Sequence, residues 1–354
     1  MNARALNRAT LARQGLLERA KFGVAEAVDR FGGLQAQEPR PPFVALHARL
    51  DGFEREQLAD ALRERRVVRA MLMRATLHIV SRERYAQLRP ALDDVMVRAM
   101  AGALKGRDDG LDLKKVLPAA TELLKAQPRT FNELRALLRE RFPNVNERAL
   151  GYAVRTQLPL VMVAGDDPWA FPRDTPFALP GVKLRKPDLE QLVVDYLAAF
   201  GPATAADAQR FTGLQGLKPV FEGLREQLIG FKDGRRELFD LPDAPRPGEE
   251  ADAPPRFLAD FDSLVLAHDD RTRILADQHK PRIASKNLRI PAMVLYDGFA
   301  AGTWRIEKKR GTATLTVKPF GKLPRGAARQ LEPEALALAA FAEPDAKSHA
   351  FELA

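Results

Sequence analysis

The sequence predicts an α+β protein made of three tandem winged-helix units followed by a small β-rich C-terminal domain. Three observations lead there. The order helix, helix, helix, hairpin can be read three times in succession, as a repeat of pattern rather than of residue identity. A stretch at 242–255 rich in Pro, Glu and Asp has the composition of an extended linker. Beyond it, apolar and polar residues alternate with the two-residue period of strands. The boundaries that follow are 1–105, 106–183 and 184–245 for the three units and 256–354 for the C-terminal domain.

In the first unit, apolar residues at helical spacing predict helices at Asn7 to Arg19, Gly23 to Phe31, Pro41 to Leu50 and Arg55 to Arg65. Val67 to Met73 and Ala75 to Val80 are β-rich, with Arg74 between them, and read as the first wing. Ser81 caps a helix that runs through Glu83 to Leu92. Lys105 to Leu113 is polar and reads as a linker. The second unit has helices at Leu113 to Ala126, Thr130 to Arg141 and Asn146 to Gln157, the middle one opened by a Thr130/Glu133 capping box. Its strands are expected at Leu160 to Ala164 and Trp169 to Phe171, around Gly165-Asp166-Asp167-Pro168. The third unit has helices at Asp188 to Phe200, Thr204 to Phe211 and Leu217 to Gln227, then strands at Leu228 to Lys232 and Glu237 to Leu241. In the C-terminal domain, Arg256 to Leu266 and Pro291 to Lys322 alternate as strands, with turns at Asp297-Gly298 and Lys308 to Gly311. A helix from Pro333 to Ala342 closes the chain.

Composition narrows the function classes. With 354 residues, 45% of them hydrophobic, the chain has ample core. The absence of Cys excludes disulfides and thiolate chemistry. No apolar run approaches membrane-spanning length and no signal core opens the chain, so the expectation is a cytoplasmic protein with no membrane contact. A net charge of +9 and a pI near 9.8 favour a polyanionic partner. Phosphate-binding and dinucleotide-binding loops and the nucleophile elbow are missing, and the five histidines are scattered. The expectation is therefore no metal and no cofactor.

One stretch organises the chemistry: Leu34-Gln35-Ala36-Gln37-Glu38-Pro39-Arg40. Gly32-Gly33 ends the helix before it, and Pro39, Pro41 and Pro42 hold the chain extended. Extended residues alternate, so Leu34 and Ala36 point to a core while Gln35 and Gln37 share the other face. Two neutral amides together can hold a water molecule without titrating. From spacing alone the commoner reading of such a pair is two satisfied surface or capping glutamines.

Basic residues cluster in three places. The first is Arg63, Arg65, Arg66, Arg69 and Arg74 around the first wing; the second is Arg271, Arg273, Lys280, Arg282, Lys286 and Arg289; the third runs from Arg305 to Arg329. Such groups suit phosphate contacts, although solvated surface charge explains any single member. Asp260 and Asp262, two apart in an expected strand, are the competing catalytic carboxylates, with turn and cap roles as their plainer reading.

Three stretches resemble the AlkZ/YcaQ-type winged-helix DNA glycosylases: Gly33 to Arg40, Arg69 to Ile79, and Phe261 to Ile274 together with Ser285 to Arg305. They occur in the family's order and span most of the chain. The resemblance implies three winged-helix units, and it implies that Gln35 and Gln37 are the catalytic Gln-apolar-Gln pair, with Ala36 between them. It also implies excision of cationic N7-alkylated purines from double-stranded DNA, interstrand crosslinks included. A cationic base leaves without an acid, so positioning a water is the task that remains. A crosslinked base is hard to flip out, so a basic hairpin is expected to meet the lesion within the duplex. Lys308, Lys309 and Arg310 are placed at its turn, with Trp304 and Arg305 at its base, and Arg40, Arg69, Arg74 and Arg289 are further DNA contacts. With no lysine nucleophile evident, the expected activity is monofunctional hydrolysis without strand cleavage. The rival readings are a non-catalytic winged-helix regulator and an interaction scaffold.

Overall fold

The computed structural model describes residues 1–234, 236–283 and 289–354. Helix α1 (Ala3–Arg13) leads to α2 (Val24–Arg30), strand β1 (Leu34–Gln35), α3 (Pro41–Arg49) and α4 (Arg55–Arg63). The hairpin β2 (Val67–Met71) and β3 (Leu77–Ser81) follows, then α5 (Arg82–Ala91) and α6 (Asp93–Leu104). Helices α7 (Leu113–Ala126), α8 (Phe131–Arg141) and α9 (Glu147–Gln157) precede short strands β4 (Val161–Met162) and β5 (Phe177–Ala178). Helices α10 (Leu189–Phe200), α11 (Ala205–Thr212) and α12 (Lys218–Gly223) lead into β6 (Ile229–Asp233) and β7 (Arg236–Asp240). The remainder is β8 (Arg256–Leu258), α13 (Ser263–Leu266), α14 (Lys280–Ile283), β9 (Met293–Tyr296), β10 (Phe299–Lys309), β11 (Thr312–Pro319), α15 (Ala327–Ala342) and β12 (Ser348–Leu353). Among the described residues, no helix is long and apolar enough to cross a membrane.

Helix ends follow the local chemistry. Asn2, Ser81, Thr130, Asn146, Asp188 and Thr204 each accept a backbone N–H in the first turn of the helix they precede. Several expected elements move. The second hairpin closes between β4 and β5, not through Trp169 to Phe171, because Trp169 packs edge-on against Phe43 at 5.2 Å and is held in the core. The strand expected over Arg256 to Leu266 ends at Leu258, and Asp262 caps α13 by accepting from Leu264 N at 3.0 Å. Helix α6, the first six residues of α15 and the parallel edge strand β12 had no counterpart in the sequence reading.

Two sheets carry the topology. One runs β1-β3-β2-β4-β5, so the first and second hairpins share a single sheet through the pairs Arg69↔Met162 and Ala70↔Val161. The other runs β12-β11-β10-β9-β8, and β6-β7 stands alone. Hydrophobic cores cross the expected boundaries in the same way. Val28, Phe43 and Leu46 of the N-terminal part pack in one core with Phe257, Val294, Leu315 and Leu331. Val68, Leu72 and Leu92 pack with Tyr196, Phe200 and Phe221. Helices α7 to α9 keep a core of their own around Val116, Leu138 and Leu150. Two buried ion pairs tie the N-terminal helices to distant chain: Arg13 to Asp240 at 2.7 Å and Arg49 to Asp262 at 2.7 Å.

Candidate functional site

Strand β1 joins the sheet edge through Leu34↔Ile79 and Gln35↔His78, and Ala36 N donates to Leu77 O at 2.7 Å. The preceding helix can stop this abruptly because Gly32 and Gly33 take φ of +78° and +83°. Leu34 and Ala36 are buried in the core, Gln35 is 9% exposed, and Gln37 is exposed. Arg69 straps the stretch from behind, its Nε donating to Ala36 O at 2.8 Å and its Nη2 to Gln37 O at 3.3 Å. Its guanidinium lies 4.6 Å from the centre of the Phe171 ring, and burial pushes its pKa down to about 10. Arg69 is thus committed to the backbone of the Gln-Ala-Gln stretch and is turned away from the phosphate role expected of it.

Both glutamine side chains border one cleft of about 770 Å³. Its wall combines Gln35, Gln37, Arg74 and Thr76 from the N-terminal part, Arg210 from α11, and Phe261, Leu266, Asp269, Arg271, Lys280, Ile283, Arg289 and Ile290 from the segment after β8. Among the described lining residues five are cationic and one, Asp269, is acidic.

The amides are oriented by groups that can only donate. Arg74 Nη2 donates to Gln35 Oε1 at 2.7 Å, and Leu77 N donates to Gln37 Oε1 at 3.2 Å. A guanidinium and a backbone N–H carry no acceptor, so each carboxamide must present its oxygen to them and its NH₂ elsewhere. Among the described residues neither NH₂ has a protein acceptor. His78 completes the arrangement. Burial and the nearby Arg74 push its pKa down to about 3, so it is neutral. Its Nδ1 lies 3.0 Å from Thr76 O and donates there, which leaves Nε2 to accept from Arg74 Nη2 at 3.4 Å. Arg74 also donates to Phe211 O. This residue sits at the β2–β3 turn with a φ of 55°, and Ala75 follows at 54°. Two consecutive left-handed non-glycine residues cost about 1 kcal/mol or more each, and persist where the surroundings hold them.

The other expected contacts scatter. Arg289 lines the cleft and pairs with Glu38 at 3.0 Å and Asp260 at 3.1 Å. A second hollow of about 290 Å³ adjoins it, bordered by Glu38, Arg40, Asp260, Arg289, Trp304 and Arg305. Arg40 lies over the Trp169 ring at 5.5 Å and 3.7 Å from Glu343. Trp304 is half-buried against Phe257 and donates Nε1–H to Leu258 O at 2.9 Å, an anchoring role in place of a groove contact. Arg305 and Lys309 flank Glu307 at 3.1 and 2.8 Å, Lys308 lies 4.0 Å from Glu343, and Arg310 turns the β10–β11 hairpin with a φ of 50°. None of these four is among the described residues that border the glutamines' cleft, although Arg305 borders the adjoining hollow. Asp260 and Asp262 do not work as a pair: Asp262 is buried on Arg49, and Asp260 is bound to Arg289. Of the second basic group, Arg271, Lys280 and Arg289 border the cleft, Arg273 is buried on Pro202 O, and Lys286 lies outside the described residues, as does Ser285. Arg210 was not singled out from the sequence. Its only local signal is a basic residue in the last turn of α11.

No curated protein sequence matches the chain. Among solved structures, Streptomyces sahachiroi DNA glycosylase AlkZ is similar with a TM-score of 0.83 over 99% of both chains at 20% identity, which shows a common fold. A family model described as DNA glycosylase AlkZ-like matches residues 28–341. The match takes in the glutamine pair, the β2–β3 turn and every residue bordering the cleft, and the chain belongs to the AlkZ-like DNA glycosylase family.

Proposed function

We propose that the protein hydrolyses the N-glycosidic bond of cationic N7-alkylated purines in double-stranded DNA, with a water held between Gln35 and Gln37. The observation that carries this reading is that both amides border the same basic cleft, oriented by Arg74 and Leu77 N. One amide NH₂ can then donate to the water's oxygen while a spare carbonyl lone pair of the pair accepts one of its protons, which leaves the oxygen's second lone pair free to face C1′. An N7-alkylated purine already carries the charge that protonation would otherwise supply. As its C1′–N9 bond breaks the base leaves neutral, the sugar gains oxocarbenium character, and the held water adds at C1′ and gives up its surplus proton to bulk water, leaving the C1′ hydroxyl of the abasic site. Placement in this geometry supplies much of the rate, because it removes the need to capture and orient water from bulk. An undamaged purine would leave as an anion and gains little from two neutral amides. The same logic extends to a crosslinked purine, whose base is also cationic.

In this reading the three successions of helices and hairpin are winged-helix units. Arg289 and the remaining cations of the cleft contact the strand that carries the lesion, while Arg40, Arg305, Lys308, Lys309 and Arg310 serve flanking phosphates. The product is a free base and an abasic site, with the strand intact.

The test is excision from a duplex containing N7-methylguanine, with abasic sites revealed by hot alkali. The wild type should yield abasic product, and Gln35→Ala and Gln37→Ala should each lower the single-turnover rate about 10²-fold. Tight binding without base release would favour a regulator, and loss of binding as well would favour a scaffold. Because amides do not titrate and His78 is neutral throughout, the rate should vary little between about pH 6 and 8. A bell-shaped profile there would count against the glutamine pair.

A further inference from the structure

The third helical unit brings a cation into the cleft that the glutamine pair does not need for holding water. Helix α11 seats its C-terminus on the β2–β3 turn at Gly213, where any Cβ would meet Arg74 Cα at 3.1 Å and Arg74 N at 3.2 Å. Phe211 accepts from Arg74, and its ring lies 5.3 Å below that guanidinium. The same helix anchors the segment after β8: Asp207 Oδ1 accepts from Asp269 N at 2.9 Å. Tyr196 on α10 donates to Ala267 O at 2.9 Å, and His268 Nε2 donates to Phe200 O at 2.9 Å. Three separate parts of the chain are thereby held together, and each contributes one arginine: Arg74 from the turn, Arg210 from α11 and Arg271 from the segment.

These arginines border the cleft and repel one another. Burial lowers the pKa of Arg74 to about 10, with Arg210 and Arg271 adding to the effect, and burial with Arg210 beside it also lowers that of Arg271. Among the described residues Arg74 has neutral acceptors only: Gln35, His78 and Phe211 O. The side chains of Arg210 and Arg271 make no hydrogen bond or ion pair with any described residue. Asp269, the one carboxylate on the wall among the described residues, offsets part of the charge. Three guanidiniums bordering one cleft, two of them with no partner among the described residues, suit an anion with several acceptor oxygens.

We propose that Arg74, Arg210 and Arg271 form a binding site for one phosphodiester group of the strand that carries the excised base, with Arg74 shared between that phosphate and Gln35. The proposal rests on the glycosylase reading for the identity of the strand. Its consequence is register: an arginine that holds the Gln35 oxygen and also touches the backbone sets the glutamine pair at a fixed distance from one phosphate, hence from one sugar. A phosphate there also relieves the repulsion among the three cations, so binding and the orientation of Gln35 reinforce each other.

The site can be tested without catalysis. Duplexes with a tetrahydrofuran abasic analogue are prepared with a single neutral methylphosphonate at each phosphate near the analogue, and affinity is measured for the full-length wild type and for Arg210→Gln/Arg271→Gln. For the wild type, one phosphonate should weaken binding about tenfold or more, as expected for losing hydrogen bonds to a charged group. At that position the double variant should lose less than twofold further, while phosphonates elsewhere still cost it what they cost the wild type. The variant's salt dependence, as log Kd against log salt, should flatten by about one phosphate's worth, a slope change of about 0.9. Multiplicative losses at every position, or a wild type indifferent to every phosphate flanking the analogue, would overturn the proposal. The phosphonate scan on the wild type needs no variant to fold. If coupling is found but the wild type releases no base from N7-methylguanine duplex, the phosphate site stands and the enzymatic reading falls.

Discussion

Single side chains decide whether two glutamines are surface polarity or a water-holding pair. Gln35 has little exposure and one lone pair committed to Arg74, so its amide plane has few orientations left. Replacing Arg74 by Gln removes the donor that sets the plane. Single-turnover excision should fall about tenfold to a hundredfold, and a rate within twofold of wild type would refute the positioning role. Buried histidines make a separate prediction about stability. Burial pushes His47 down to about 4 and His78 to about 3, and lowers His268 as well. An unfolded chain binds protons on histidine below about pH 6.5, where the folded chain does not. The stabilisation is therefore complete above that pH and is lost as pH falls toward the folded values, at up to about 1.4 kcal/mol per pH unit for each such histidine. Asp29, whose carboxyl is raised by burial, opposes this in part. Thermal melts should be level from pH 7 to 8 and drop measurably between pH 6.5 and 5; a level melt down to pH 5 would mean that these rings are not buried neutral.

At the scale of elements, helix α2, β1 and the β2–β3 hairpin act together because their junctions are tight. Gly33 needs a positive φ, and a Cβ there would meet Val80 Cγ1 at 3.0 Å and Met73 Cε at 3.1 Å. Gly33→Ala should cost about 1–2 kcal/mol and shift β1 against β3, read as a lower urea midpoint together with reduced excision. Loss of neither would show that the turn tolerates a side chain. Most helices were readable in the sequence because capping residues and apolar spacing are local signals, as at Thr130 and Asn146. The second hairpin was misplaced for a tertiary reason. Trp169 looks like a strand residue by type, yet its ring is held by Phe43, and Arg40 and Arg55 lie over its face, while β5 pairs further along the chain. Strand β12 was invisible because a parallel pairing to β11 depends on the helix between them folding back, which no short window of sequence reports.

Across the whole molecule, the boundaries suggested by pattern do not coincide with separate cores. The first part shares one core with the C-terminal sheet and another with the third helical unit. The Arg49–Asp262 pair, two bonds of 2.9 and 2.7 Å with both side chains almost fully buried, crosses the first of these junctions. Asp262→Ala should destabilise the chain by about 3–5 kcal/mol by leaving a buried guanidinium unpaired, and Arg49→Met with Asp262→Leu should recover much of that loss. Chemical denaturation checks both, and equal melts for wild type and Asp262→Ala would show the junction to be insensitive. The cleft belongs to this scale too, since its wall draws on residues from position 35 to position 290.

Chain chemistry alone was enough for the α+β class, the run of helices and hairpins, the basic character and the prominence of Gln35 and Gln37, because each of these is written in neighbouring residues. The company those glutamines keep was not. Nothing local in Arg210 beyond its place in the last turn of a helix points to the cleft, Arg69 and Trp304 have the residue types of DNA contacts but are held by buried carbonyls, and Asp262 turns out to be Arg49's partner. Proximity between residues a hundred or more positions apart depends on which apolar faces pack together, and only the folded chain settles that.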